Sequence, residues 1–360
     1  MKKGKIACLL SALIICGLLL GACSGHSRAH TEILDDTPSA QPPFSVRSVS
    51  QPATEKDGQP LRYVGLSGQS MVAILGRESE KRIVLVGKSG YLKPYTDPLS
   101  IVSETVICRG EHVLFEARNG EERMDVFLLN LEDESVRKIG SYLTADLLVP
   151  VNWQQEEISF VVHSVSGAVL SRYHVEKNTL ERVGDSGALS ENLPANLKNA
   201  VVSKLFFTAN YVVCQMDVGA ESQLVATDAK DATRGNLKST PGASAAADGD
   251  KIYYIAENGT LMSWDLETDQ KAKIMEGVSQ FSLSEDGSKL AVVEKSAAAY
   301  KLYVVDIRSG QTLYVDLYKS ISHIYLNADG TGLLVNSLQV DQTTQKSGYG
   351  GTYAFYEIAY

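Results

Sequence analysis

Residues 281–293 read FSLSEDGSKLAVV, and residues 324–335 read IYLNADGTGLLV. The two stretches align without a gap at an offset of 43 residues, so that Asp286-Gly287 falls on Asp329-Gly330. In each stretch an apolar segment runs into an Asp-Gly turn and continues as a second apolar segment, which predicts two strands joined by a turn. Self-similarity at such a period is the sequence signature of a repeat architecture.

A second landmark, a strand that ends in a polar turn, marks further copies of the same unit. It occurs at Val86, Asn130, His174, Asp228, Asp265 and Asp306. These positions lie 37 to 54 residues apart with a mean of 44, and a seventh copy ends the sequence with Glu357 near the expected position. A period in the low forties made of short strands predicts β-propeller blades of four antiparallel strands each.

The repeat resembles the blades of TolB-like and WD40-like β-propellers. Trp264-Asp265 is similar to the dipeptide that ends the third strand of a WD40 blade, and the S-x-D-G-x-x-L element at Ser284 resembles the turn between the first two strands of a TolB-type blade. The resemblance implies an all-β propeller domain over residues 61–360. The seven landmarks predict seven blades, with six as the alternative.

A ring of blades has to be closed, because an open ring leaves a strand edge unpaired. The last copy stops after what reads as its third strand. The segment FSVRSVS, residues 44–50, alternates like a strand and precedes the first blade. We therefore expect it to supply the missing outer strand. Within the blades, Asn119-Gly120 and Asn258-Gly259 are typical of two-residue hairpin turns.

The N-terminal sequence predicts that the protein is exported from the cytoplasm. Three lysines precede an uncharged apolar run, residues 6–20, that is short for a membrane span of ~20 residues. The run ends in Leu20-Gly21-Ala22-Cys23, which resembles the lipobox of bacterial lipoproteins. That resemblance implies a signal peptide over residues 1–22, cleavage between Ala22 and Cys23, and lipid (palmitate-type) attachment at Cys23. An ordinary cleaved signal and a retained transmembrane anchor remain alternatives.

The segment that follows, residues 23–60, is rich in Pro, Ser, Thr and Gln and predicts a flexible tether. The formal net charge is −9, and it becomes −12 once residues 1–22, with three lysines and no acids, are removed. Such a surface argues against nucleic-acid binding. We expect the chain to be held on the cell membrane, or on an outer membrane if the cell has one, by lipidated Cys23.

No local motif points to a catalytic, metal or cofactor site. The run around Ser67 lacks the second glycine of a G-x-S-x-G nucleophile turn, since Gln69 stands there. No two histidines show metal-ligand spacing. Cys108 and Cys214 lie in apolar strand-like runs, which favours buried free thiols over a disulfide, although an even pair in an exported chain leaves both open.

Two connections are longer than a blade requires, residues 185–200 and 228–245. Insertions in repeat proteins map to loops, often on a binding face, although unselected loop length explains them equally simply. If they bind a partner, Lys198, Arg234 and Lys238 are the candidate contacts.

The sequence thus favours a lipid-anchored envelope propeller without enzymatic activity, a platform or sensor for envelope proteins that needs no metal or cofactor. The alternative is an extracytoplasmic lactonase-like hydrolase or a small-ligand-binding propeller, since one fold hosts many functions.

The lipoprotein hypothesis predicts that Cys23→Ser removes the lipid attachment point. Because two or more acyl chains give stable anchoring, we expect the variant to leave the membrane fraction for the soluble or secreted fraction on ultracentrifugation. Ser24→Ala is the matched control and stays membrane-bound. A Cys23→Ser chain that sediments with membranes like the parent contradicts the hypothesis.

Overall fold

The computed structural model describes residues 45–143, 147–149, 153–154, 157–164, 167–185, 200–208, 210–219, 221–228, 237–338 and 351–359. Within these residues the regular secondary structure is β-strand, and none of them forms a helix of the length and apolarity that a membrane crossing demands. Contacts divide the chain into residues 46–359 and a second unit, residues 1–45 with Tyr360, of which Ser45 alone is described. The expected signal peptide and Cys23 lie outside the described residues.

The first strand is β1 (Ser45–Ser50). The next two blades contain β2 (Glu55–Lys56), β3 (Gln59–Ser67), β4 (Ser70–Leu75), β5 (Arg82–Val86), β6 (Leu92–Pro94), β7 (Ile101–Arg109), β8 (His112–Asn119), β9 (Arg123–Asn130) and β10 (Val136–Leu143). The third and fourth contain β11 (Leu147–Val149), β12 (Trp153–Gln154), β13 (Glu157–Ser164), β14 (Gly167–His174), β15 (Thr179–Asp185), β16 (Val201–Phe207), β17 (Tyr211–Val218), β18 (Glu221–Asp228) and β19 (Lys238–Pro241). The last three contain β20 (Ala243–Asp248), β21 (Lys251–Ile255), β22 (Leu261–Asp265), β23 (Lys271–Met275), β24 (Val278–Leu283), β25 (Lys289–Lys295), β26 (Tyr300–Asp306), β27 (Thr312–Tyr318), β28 (His323–Leu326), β29 (Gly332–Leu338) and β30 (Gly351–Ala359).

These strands form seven antiparallel sheets over the described residues, five of four strands and two of five. The sheets are the blades of a seven-bladed β-propeller, which confirms the predicted fold and the higher of the two blade counts. First strands of neighbouring blades contact one another around the ring, β3 with β7, β20 with β24, β24 with β28, and β28 with β3. The last of these contacts joins the seventh blade to the first.

The landmarks used to count the repeats share one structural position. Val86, Asn130 and Asp228 each end the third strand of their blade, and so do His174, Asp265 and Asp306. The landmark is periodic because the third strand of each of these six blades leaves the buried part of the sheet at the same point and enters a solvent-exposed turn.

The hydrophobic core lies between blades. Adjacent residues on one strand point into different interfaces: Tyr63 packs with Phe355 of the seventh blade, and Val64 packs with Phe115 of the second. Leu114, next to Phe115, belongs to the interface with the third blade. This period-2 alternation with apolar residues on both sides is the expected pattern of a strand covered on both faces.

The repeated Asp-Gly pairs form the turns between first and second strands, as the TolB-type resemblance implies. Gly287 and Gly330 have φ values of +67° and +73°, a region open to glycine. Asp286 Oδ1 accepts the backbone N–H of Ser288 at 3.0 Å, and Asp329 Oδ1 accepts that of Thr331 at 3.0 Å. These contacts tie the turns down locally.

The two Asn-Gly pairs do not form the expected two-residue hairpins. Asn119 pairs with Arg123 across a three-residue loop, and Gly120 has a positive φ while Asn119 does not. The loop after β21 spans residues 256–260, again with the positive φ on its glycine, Gly259. A longer loop with one left-handed glycine also joins antiparallel strands and needs no strained asparagine.

The strand β1 pairs with β30 as the outermost strand of the seventh blade, where residues 44–50 were expected. Glu357 on β30 forms an ion pair with Lys88 of the first blade. Hydrogen bonds from Lys88 and then Ser48 of β1 hold the pKa of this carboxyl below its usual range. One carboxylate therefore links the N-terminal strand, the last blade and the first blade.

Removing β1 should loosen the whole ring. We expect a chain that begins at Pro52 to melt several degrees below one that begins at Pro43, because β30 loses its edge partner and Glu357 loses Ser48. For a domain of this size ~1 kcal/mol corresponds to roughly 2 °C. Differential scanning calorimetry measures the shift, and coincident transitions for the two chains would show that β1 does not stabilise the ring.

Candidate functional site

A cavity of about 260 Å³ lies at the centre of the ring. It is lined by the first strands of six blades, β3, β7, β16, β20, β24 and β28. Strands from such distant parts of the sequence meet here because each blade turns its first strand toward the axis. The lining carries four polar or ionisable groups of interest, Arg109, Lys204, Glu285 and Tyr325, together with the thiol of Cys108.

Small residues along the first strands leave the volume that the central cavity occupies. Gly65 and the run Ala245–Ala247 line the cavity from the first and fifth blades. A Cβ atom on Gly65 would overlap Cβ of Cys108, so the glycine also allows β3 and β7 to approach closely.

Glu285 crosses the ring. It belongs to the turn after β24 in the sixth blade, yet its Oε1 accepts the backbone N–H of Gly110 in the second blade at 2.5 Å. Its Oε2 lies 3.7 Å from Nε of Arg109. Burial raises the pKa of Glu285, an effect that Arg109 and the Gly110 N–H only partly offset. The carboxyl therefore spans one mouth of the cavity, and it binds a proton more tightly than an exposed glutamate does.

Arg109 uses only one of its guanidinium nitrogens to contact the Glu285 carboxylate. Nε faces Glu285, and no hydrogen bond from the described residues reaches the two terminal nitrogens. The negative charge of Asp248, at the end of β20, also stabilises the charged form of Arg109 over a longer distance. A guanidinium in this state presents two parallel N–H donors, which is the geometry that a carboxylate accepts.

Lys204 is an amine without a hydrogen-bond or ion-pair partner among the described residues. It lies on β16 after a bulge between Val202 and Lys204, opposite Gln215. Over the described part of the chain no hydrogen bond or ion pair reaches it, and the acidic group that acts on it is Asp217, whose Oδ1 accepts the Ser222 hydroxyl at 2.6 Å. Burial lowers the pKa of the Lys204 ammonium, and Asp217 offsets this only in part.

Two further groups complete the lining. Burial raises the pKa of Tyr325 to about 12, so its phenol is neutral. The Cys108 thiol donates to the Leu66 carbonyl at 3.2 Å, and burial raises its pKa as well. Cys108 and Cys214 are both free, with Cys214 buried and Cys108 partly buried, so of the two alternatives that the sequence left open the structure shows free thiols and not a disulfide.

Hydrogen bonds between neighbouring turns surround the mouth that Glu285 spans. Ser67 Oγ donates to the Glu111 carboxylate at 3.1 Å, a contact that joins the turn of the first blade to that of the second. The belt continues in further contacts between blades: Gln69 to Thr331 at 2.8 Å, Asn327 to the Gly68 carbonyl at 3.1 Å, the Asp286 N–H to the Ala328 carbonyl at 3.0 Å, and Asn210 to Asp250 at 2.7 Å.

Of the three candidate partner contacts, Lys238 lies within the described residues, and it does not line this cavity. Lys238 donates to the Leu266 carbonyl of the next blade and lies 5.2 Å above the Tyr211 ring, so it ties two blades together. Lys198 and Arg234, like Ala22 and Cys23, lie outside the described residues. No group of three metal-ligating side chains occurs in the part of the chain that the structure describes.

Sequence reasoning missed Arg109, Lys204 and Glu285 because they form no local motif. A signal was nevertheless present: Lys204 interrupts the apolar run VVSKLFF, and Arg109 ends the apolar run TVICR. A charged side chain inside the first strand of a blade points either toward the ring axis or toward a neighbouring blade. In both places a group of opposite charge or a ligand should be looked for.

No protein-family model matches the chain, and no curated protein matches it. Similar folds occur among solved structures. Oligogalacturonate lyase from Vibrio parahaemolyticus matches 88% of this chain and 98% of its own at 11% identity and a TM-score of 0.55. An uncharacterised protein from Listeria monocytogenes matches 81% and 92% at 14% identity and 0.56. TolB from Acinetobacter baumannii matches 88% and 81% at 12% identity and 0.45.

The expectation that this chain is not an enzyme is wrong. It rested on the absence of local catalytic motifs, and a ring of the same fold, the Vibrio lyase, is an enzyme. The physical reason is that a propeller assembles its central site from strands far apart in sequence. Spacing along the chain therefore carries little information about what converges on the axis.

The raised pKa of Glu285 predicts a pH dependence of stability. A folded chain that binds this proton more tightly than the unfolded chain gains stability below the unfolded pKa, and loses that gain as the pH rises through the folded pKa. Between about pH 4 and pH 8, the free energy of unfolding should therefore fall more in the parent chain than in Glu285→Gln, which cannot titrate.

Urea unfolding at both pH values measures the difference. Glu267→Gln, in an exposed turn, controls for the loss of one carboxylate. If the free energy of unfolding changes equally with pH in the parent chain and in Glu285→Gln, the Glu285 carboxyl does not bind its proton more tightly in the folded state.

Proposed function

We propose that this chain is an enzyme-like, ligand-binding propeller whose central cavity takes a small carboxylic acid. The observation that carries the proposal is that one cavity is lined by two cationic side chains that the described residues leave unmatched. Lys204 has no hydrogen-bond or ion-pair partner among these residues, and two nitrogens of Arg109 receive no hydrogen bond from them. Buried polar groups are nearly always satisfied, and unmatched charge in a protein interior is unfavourable. A ligand that is negatively charged at one end supplies the missing partner.

The charge pattern of the cavity favours a carboxylate that also carries hydroxyl or carbonyl oxygens. Arg109 offers paired donors for the carboxylate, and Tyr325 offers a neutral hydroxyl. A volume of about 260 Å³ lies near the lower end of ordinary ligand pockets, which favours a small acid over a polymer. An acidic sugar belongs to this class.

The same groups suit proton transfer. Burial lowers the pKa of Lys204 and raises that of Glu285, so both move toward neutrality. Pairs of titratable groups shifted in this way are the usual acids and bases of enzymes. Hydrolysis of a small ester or lactone is chemistry that such a pair supports.

We place this activity outside the cytoplasm. The support is the basic and apolar N-terminus and the lipobox-like stretch ending at Cys23, followed by the polar tether. A lipid anchor with a tether would hold the ring near the membrane surface, where it meets small solutes of the envelope.

Isothermal titration with lactate, pyruvate, gluconate and glucuronate tests the proposal, with glycerol and glucose as uncharged counterparts. At least one acid should bind while the uncharged compounds do not. Lys204→Met and Arg109→Met should each weaken that binding on the order of ten- to a hundred-fold, the equivalent of one charged hydrogen bond.

Lys177→Met, which removes the same charge from an exposed turn, is the matched control and should bind like the parent chain. Thermal unfolding of each variant establishes that it is folded. Equal binding of acids and uncharged compounds, or unchanged affinity in Lys204→Met, would overturn the proposal.

A further inference from the structure

We propose that Lys204 is a nucleophilic amine that forms an imine with a 2-oxo acid held in the central cavity. The inference rests on the proposed function, because it names the class of small acid and the bond that this acid forms. Its support is the position of the amine and what surrounds it.

Structural lysines in this protein are matched. Lys289 is buried, and its ammonium lies 2.8 Å from Asp306. Lys81 donates to the Ile101 carbonyl at 2.8 Å. Lys204 has no such contact within the described residues, although it lines the polar central cavity. A lysine that only stabilised the fold would be expected to find a carboxylate or carbonyl, as these two do.

The neighbours of Lys204 favour the neutral amine. Its acidic neighbour, Asp217, is engaged by Ser222 and is not within ion-pair distance, so little holds the proton on the ammonium. Burial adds to this by lowering the pKa. Desolvated lysines of this kind are the amines that attack carbonyl carbons.

The other nucleophilic group in the cavity, the Cys108 thiol, is held in its protonated form. Cys108 donates its thiol proton to the Leu66 carbonyl, and burial raises its pKa, so the reactive thiolate is disfavoured. Arg109 can hold the carboxylate of a 2-oxo acid, which leaves the adjacent carbonyl carbon facing the remainder of this small cavity.

The step is balanced without a further reactant. The lone pair of Nζ forms a C–N bond to the carbonyl carbon, and the carbonyl oxygen becomes a hydroxyl by taking a proton. The hydroxyl then leaves as water with a second proton, and the nitrogen forms the C=N bond. Water is the sole by-product, and hydrolysis reverses the reaction.

The test incubates the full-length chain with pyruvate and sodium cyanoborohydride, which reduces the imine to a stable secondary amine. Intact mass spectrometry should show one adduct, and peptide mapping should place it on Lys204. Because the lowered pKa of Lys204 leaves more of its amine unprotonated, we expect Lys204 to be labelled faster than Lys273, which lies on the exposed surface. Lactate, which has a carboxylate and no carbonyl, should form no adduct and should protect Lys204 from pyruvate.

Lys204→Arg keeps the positive charge and removes the nucleophile, so it should bind lactate and lose the adduct. Protection by lactate is measured in the parent chain and holds even if this variant is unstable. Binding of lactate and pyruvate without any adduct overturns the imine and leaves the proposed function standing. Adducts spread over exposed lysines also overturn it. If neither lactate nor pyruvate binds but gluconate or glucuronate does, the imine is overturned alone, and if none of the four acids binds, both proposals are overturned.

Discussion

Each blade of this protein is a sheet that is apolar on both faces, and no single sheet of this kind can exclude water from both. Tyr63 and Val64, adjacent on one strand, are buried in two different interfaces, one with the seventh blade and one with the second. The same holds for Leu114 and Phe115. Hydrophobic surface is therefore buried mainly between blades. Closing the ring gives every blade a neighbour on both faces, so that all of these surfaces are covered.

Hydrophobic contacts between the faces of neighbouring blades hold the ring together. At its centre, the contacts between blades are made by polar groups. On one side, hydrogen bonds run from turn to turn between neighbouring blades, as from Asn327 to Gly68 and from Ser67 to Glu111. Glu285 instead reaches over the axis to Arg109 and Gly110. Because these contacts join blades that are distant in sequence, a ligand that displaced Glu285 would be felt by the second and sixth blades together.

The fold could be predicted from the sequence, and the centre could not. Asp286-Gly287, Asp329-Gly330 and the strand ends near Asp306 repeat because every blade solves the same local problem of turning a chain. Arg109, Lys204 and Glu285 do not repeat, since each is used once and their proximity comes from closure of the ring. The loop lengths after Asn119 and Asn258 were also beyond sequence reasoning, because a left-handed glycine serves loops of several lengths.

The chemistry of the cavity follows from this division between repeated and unrepeated residues. Residues that repeat from blade to blade stabilise the ring. Lys289, which is buried and paired with Asp306, shows how the protein accommodates a lysine that serves the fold. Lys204 lies on the strand nearest the axis, it has no such partner among the described residues, and its burial weakens its hold on a proton. An unmatched amine destabilises the fold that contains it. Its presence at the point where six blades converge is accounted for if the missing partner arrives from outside as a small acid.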